Sequence, residues 1–182
     1  MKIGFTGTMS VGKTTLVNAL KKLPEFEGYT FATERSKYLN SLGIPLNFET
    51  TIEGQTIFLA ERVTELMQEN IITDRTILDV MAFTKCANKV SVLDSDAFES
   101  YASRFIKQYD HIFYISPKGI DIEDNGVRET DESYRKEIDE TIQKLLLKYH
   151  PQSFEASDNY SPYKLSGTTE ERIGQILKTI KS

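Results

Sequence analysis

The eight residues Gly7-Thr8-Met9-Ser10-Val11-Gly12-Lys13-Thr14 decide how the rest of the chain is read. They fit G-x-x-x-x-G-K-[ST] without a gap. The glycines let the backbone curl so that its N–H groups point inward, at the oxygens of a phosphate. The pattern carries this meaning only between a strand and a helix. Lys2–Thr6 (KIGFT) is an apolar run that reads as a buried strand. Lys13–Leu23 follows as a helix, with Leu16, Ala19 and Leu20 on one face and Pro24 beyond its end. The helix N-terminus adds partial positive charge to the cradle. Gly7, Ser10, Val11, Gly12, Lys13, Thr14 and Thr15 are therefore the candidate phosphate-binding residues. Lys13 is placed to reach β- and γ-phosphates, and the Thr14 hydroxyl to bind Mg²⁺.

Outward from this motif, apolar runs alternate with longer amphipathic segments. Tyr29–Thr33, Asn70–Asp74, His111–Ser116 and Tyr163–Leu165 read as further strands. Helices are predicted over Arg35–Leu42, Thr51–Gln68, Thr76–Ala87, Asp96–Gln108, Ser133–Tyr149 and Thr169–Ile180. Ile57, Ala60, Val63, Leu66 and Met67 mark the inner face of the second of these, and Ala97, Tyr101 and Phe105 that of the fourth. The alternation predicts a three-layer α/β fold, a five-stranded parallel sheet with helices on both faces. Ligands then bind outside the carboxyl ends of the strands.

The whole chain has 182 residues, which predicts one domain, residues 1–182. Charged residues are 27% and hydrophobic ones 39%, as in globular proteins and unlike disordered ones. The net charge of -5 argues against a broad basic surface for duplex nucleic acid. The single cysteine, Cys86, excludes an internal disulfide and fits a reduced, cytoplasmic setting. No stretch reads as a signal peptide or a membrane helix, and no Cys/His spacing reads as a zinc site.

The ends of the other strands carry the remaining chemistry. Asp74 closes the third strand, where a carboxylate beside the cradle holds Mg²⁺; it is also placed to cap the helix that follows. Glu34 and Arg35 follow the second strand. A carboxylate there can take the proton of an attacking hydroxyl, and Arg35 and Arg75 can clamp an anionic group. The polar stretch after the fourth strand holds Arg128, and Arg135 lies in the next helix. With residues 118–135 read as a short lid, these arginines would place charge on a transferring phosphoryl group. Tyr29, Phe31, Tyr38 and Phe48 can line an acceptor pocket or the core.

Together these residues resemble the small P-loop kinases, the nucleoside and nucleotide kinase group. Asp74-Arg75 is similar to the Asp/Glu-Arg motif of deoxynucleoside and thymidylate kinases, and Glu34 falls where the former carry their base. GTMSVGKTTL, TERSKYL, YDHIFYISP and DNGVRETDESYR also resemble the kinase domain of bacterial nicotinamide riboside kinases and related small phage ATPase-like kinases. The resemblance implies a strand order 2-3-1-4-5. It places the loop after the fifth strand, with Gly167, against the adenine of ATP, and lets Arg172 support that loop. Glu34 lacks the proline that commonly follows it, and Thr76 stands where Ser or Tyr is usual, so the acceptor stays open.

The expectation is a phosphotransferase that uses ATP and Mg²⁺ on a nucleoside, a nucleotide or a related acceptor, with a homodimer possible. Rarer alternatives are a modified pyrimidine base or a 5′ end in DNA, a nucleotide switch that hydrolyses without a small acceptor, and a binder without turnover. No Asn-Lys-x-Asp motif supports a GTPase: Ala87-Asn88-Lys89-Val90 has no aspartate at the required place. The length leaves no room for the separate helical lid domain of an oligomeric AAA+ ATPase.

Overall fold

The computed structural model describes residues 1–33, 35–120, 131–151, 161 and 163–181. Glu34, Arg128 and most of the expected lid lie outside the described residues. Five parallel strands form the sheet, β1 (Lys2–Thr6), β2 (Thr30–Ala32), β3 (Ile71–Asp74), β4 (His111–Ile115) and β5 (Lys164–Leu165), in the order β2-β3-β1-β4-β5. The fold class and strand order expected from the sequence hold. β3 is buried along its whole length, and β1 and β4 in all but their first residue. Strands covered on both faces need such continuous apolar runs.

The two faces separate two cores. On one, Leu16, Val17 and Leu20 of α1 (Lys13–Leu20) and Ile176 of α7 (Thr169–Ile180) cover Ile3, Phe5, Ile72, Phe113 and Ile115. On the other, α3 (Ile52–Glu65), α4 (Ile77–Lys85), α5 (Val92–Ala102) and α6 (Glu132–Tyr149) pack around Ile112 and Tyr114. The short helix α2 (Ser36–Ser41) follows β2. Among the described residues no helix is long and apolar enough to cross a membrane.

Three helices differ from their sequence reading. α1 stops at Leu20 instead of Leu23, because Leu23 precedes Pro24 and takes an extended conformation (φ −93°, ψ 136°). α5 starts earlier, where the Ser91 hydroxyl accepts the Asp94 N–H, and residues 103–108 continue as a 3₁₀ turn. Its buried face is Ser95, Phe98, Glu99 and Ala102. Tyr101, 56% exposed, packs edge-on against Phe105, which itself rests on the core.

The α3 face is the larger correction. Gln55, Leu59, Arg62 and Leu66 point inward, while Ile57 and Met67 are exposed. Two polar side chains displace apolar ones because this face meets the end of β3 and the cleft beside it, where buried backbone groups need hydrogen-bond partners.

At the opposite end of the sheet, His111 opens β4 and its Nδ1 lies 3.2 Å from the Tyr163 hydroxyl. His150, at the end of α6, is buried edge-on against the same Tyr163 ring. Burial pushes the His150 imidazole down to about 4, with His111 acting in the same direction. An unfolded histidine titrates near pH 6.5. Below that pH the unfolded chain takes up a proton that the native state refuses. Stability present above pH 6.5 is therefore lost as pH falls towards 4. His150→Phe should flatten this limb of a Tm-versus-pH curve; equal slopes in the two proteins would count against the assignment.

Candidate active site

The cradle is built where β1 runs out. Gly7 has φ 147°, and a Cβ there would lie 2.5 Å from the Ile115 carbonyl oxygen, so no side chain fits. Gly12 has φ 84° and opens α1 with no side-chain cap and no acid in the first turn. A helix N-terminus without an acid or a side-chain cap suits an anion. Arg172, from α7, donates from Nη1 to the Val11 carbonyl at 2.9 Å and braces the arch from outside. The Lys13 ammonium is buried and folds back over the loop, 2.5 Å from the Gly7 carbonyl and 2.7 Å from that of Thr8. Phosphate oxygens can replace those carbonyls without moving the helix.

Register brings the acid to the cradle. β1 pairs with β3 so that Phe5 faces Asp74. The Thr14 hydroxyl donates to Asp74 Oδ2, and Asp74 is buried. Two hard oxygen donors beside the phosphate loop suit a Mg²⁺ ion, which takes few protein ligands and completes its shell with phosphate and water. Among the described residues no group of three or more His, Cys, Asp and Glu forms a protein-only metal cage. Asp74 does not cap α4. Thr76 does, and Asp79 closes the capping box: its Oδ2 accepts the Thr76 N–H at 2.7 Å and the Thr76 hydroxyl at 3.0 Å.

Asp79 was not singled out in the sequence, yet it joins three parts of the site. Its Oδ1 accepts the Gly7 N–H at 3.4 Å and lies 3.6 Å from Arg75 Nη1. Arg75 holds a left-handed backbone conformation, φ 82°, that side chains other than glycine rarely adopt. That turn lays its guanidinium over the Phe83 ring, 5.0 Å from the centroid. A cleft opens here. Gln55 and Phe58 of α3, Asp79, Val80 and Phe83 of α4, and Arg75 between them form its wall, with Ser36, Leu46 and Asn47 at its edge. Gln55 Nε2 donates to the Thr50 hydroxyl at 2.9 Å, which leaves the amide oxygen as the acceptor for a ligand.

The other candidates fall as follows. Arg35 is half-exposed, pairs with Glu61 at 3.0 Å and stacks over Tyr38, at the rim of the site. Arg135 is buried in α6 and donates to the Ile120 carbonyl at 2.7 Å, tying the residues just before 121–130 to that helix. Gly167, φ 84°, precedes Thr168, which caps α7, and Gln175 brackets Ser166 through both its backbone N–H and carbonyl. The aromatics of the cleft are Phe58 and Phe83. Tyr29 and Phe31 pack on the α1 side of the sheet, Phe48 packs on Tyr134, and Tyr38 is exposed. Cys86 is buried, and burial pushes its thiol up to about 11, away from nucleophilic chemistry.

A family model described as an AAA domain matches residues 2–172. No curated protein sequence matches the chain significantly. Among solved structures, a NadR protein in complex with NR matches with a TM-score of 0.73 at 18% identity, over 99% of this chain and 51% of that one. The chain thus spans about half the length of that protein. A deoxyadenosine kinase from M. mycoides, solved with product dCMP and a flexible dCDP, matches at 0.61 and 19% identity, over 100% of this chain and 98% of that one. A thymidylate kinase from Ehrlichia chaffeensis matches at 0.60 and 16%, over 99% and 98%. At such identities the likeness is one of fold. From β1 to the first turn of α7 the family match follows the sheet, cradle and cleft described above: the chain belongs to the AAA-domain family of P-loop proteins, in the fold of the small nucleoside and nucleotide kinases.

Proposed function

We propose that the chain transfers the γ-phosphoryl group of ATP to a hydroxyl of a nucleoside-sized acceptor. The carrying observation is that the phosphate loop and the cleft share a wall. Asp79 contacts the Gly7 N–H on one side and lines the cleft with Arg75 on the other. A donor phosphate on the loop and an acceptor in the cleft would therefore meet with no segment of the described residues between them, and such positioning is most of the catalysis in phosphoryl transfer.

Each residue has a physical role in this reading. The loop N–H groups and Lys13 bind the phosphates. Thr14 and Asp74 would hold Mg²⁺, which when bound neutralises charge on the phosphate oxygens. Arg75 lies at the junction of loop and cleft, where charge develops. Glu34 follows β2 in the chain and takes the base role implied by the family resemblance, since Asp74 is engaged with Thr14.

The cleft favours the acceptor class. Phe58 and Phe83 give the cleft an apolar side that suits a planar ring, and the Gln55 oxygen favours a ring that carries an N–H donor. Among the described lining residues the one cation, Arg75, faces the one anion, Asp79. A balanced wall suits an uncharged nucleoside better than one already phosphorylated.

Lys13→Ala should abolish transfer of labelled γ-phosphate to any acceptor in a panel of nucleosides, mononucleotides, nicotinamide riboside and modified DNA, while circular dichroism stays unchanged. Full activity in that variant would refute the proposal. Release of free phosphate alone across the panel would favour a nucleotide switch. Phe83→Ala should raise the acceptor KM about tenfold, as the loss of about 1–3 kcal/mol of ring stacking implies, and leave the KM for ATP unchanged. A rise in both would place Phe83 outside the acceptor site.

A further inference from the structure

Arg62, on the inner face of α3, has no part in the phosphoryl-transfer reading above. It is 4% exposed and enters the site from α3, twelve residues before Asp74. Its Nη1 donates to the backbone carbonyl of Asp74 at 3.0 Å. Its Nη2 donates to Glu65 Oε1 at 2.6 Å, on the same helix, which fixes the direction of the guanidinium. Burial pushes the Glu65 carboxyl up to about 7 against the pull of Arg62. A buried, doubly bonded guanidinium aimed at one peptide is costly to place and is not needed to pack a helix.

The peptide it holds is the hinge of the site. At the end of β3 the Arg75 N–H closes the ladder onto the Phe5 carbonyl at 3.0 Å, and the chain then turns left-handed at Arg75. For a residue with a Cβ this turn is strained and persists only where its surroundings hold it. The Asp74 carbonyl on the same turn is buried and needs a donor. Arg62 supplies it. Asp74 and Arg75 send their side chains to opposite sides of this one peptide, to Thr14 and to the cleft.

We infer that Arg62 is a positioning residue, which sets the Asp74 carboxylate against the phosphate loop and the Arg75 guanidinium over the cleft by holding the Asp74 carbonyl. This rests on the phosphoryl-transfer reading only for its use, since the geometry concerns the chain alone. Arg62 bonds no residue of the phosphate loop directly. Its effect on metal-dependent binding passes through Asp74, as with outer-shell partners of metal ligands.

The test measures the affinity of the full chain for AMP-PNP with and without Mg²⁺, by calorimetry. Arg62→Met should reduce the Mg²⁺-dependent gain in affinity about 10–100-fold, the usual effect of losing an outer-shell partner, and leave the metal-free affinity within about twofold of wild type. A merely structural role would lower Tm but keep the gain, and a gain within about twofold of wild type overturns the inference. Should Arg62→Met fail to fold, Arg62→Gln decides by the same ratio, since its shorter amide stays polar beside Glu65 but falls short of the carbonyl. If neither folds, Arg62 serves the core alone and the inference falls. A wild-type chain whose nucleotide binding ignores Mg²⁺ would instead refute the phosphoryl-transfer reading itself.

Discussion

The parallel pairing of β1 with β3 is the constraint on which the site depends. It sets Phe5 opposite Asp74, so the two strands run out together. The Phe5 carbonyl takes the Arg75 N–H, and one residue later the chain leaves β1 for the phosphate loop. Gly7 is trapped at that exit between the Ile115 carbonyl of β4 and the Asp79 carboxylate of α4. Three strand ends and one helix start thus meet within a single hydrogen-bonded layer. A slip of one residue in β3 would turn Asp74 to the other face of the sheet.

The chemistry of the chain is concentrated at this end for an energetic reason. Thr76, Asp79, Arg62 and Gln55 are buried polar groups, and burial without partners is costly. Asp79 and Arg62 find backbone partners here, at loop and helix termini, and Gln55 bonds the Thr50 hydroxyl. Asp79 serves α4 and the phosphate loop at once, and Arg62 serves the turn after β3. The rest of the sheet lies between apolar layers, where polar pairs such as Tyr114 with Asp139 are few. Polar satisfaction and site construction are the same set of contacts, a coupling that rigidifies a site when every member is bonded.

Some of this was legible in the sequence. The phosphate loop is a backbone device, and the glycines and the lysine that make it possible sit at fixed spacing, so Gly7, Gly12, Lys13 and Thr14 were read directly. β3 and β4 showed because doubly covered strands must be apolar throughout. The inner faces of α3 and α5 were read only in part: Val63, Leu66 and Phe105 do pack on the core, but apolar periodicity assumes an apolar neighbour. α3 faces a site, so Gln55 and Arg62 turn inward, and Ile57 and Met67 are left at the surface. On α5, the start set by Ser91 rotates Tyr101 out of the core. Asp79 gave no signal, since an acid three residues after Thr76 reads as a cap, which it also is.

The sequence by itself determined the fold class, the five strands and the phosphate loop, because local chemistry and hydrophobic period are carried by neighbours in the chain. Only the tertiary structure decided which side chains face the loop and the cleft. Asp79 reaches Gly7 across 72 positions and Arg172 reaches Val11 across 161. Asp74 meets Thr14 because β3 lies beside β1 in the sheet, with β2 outside it. Contacts of that span depend on strand order and register, which no local pattern encodes. The turn at Arg75 belongs with them: its backbone conformation is unfavourable in isolation and is held by the contact of Arg62, from α3, with the Asp74 carbonyl.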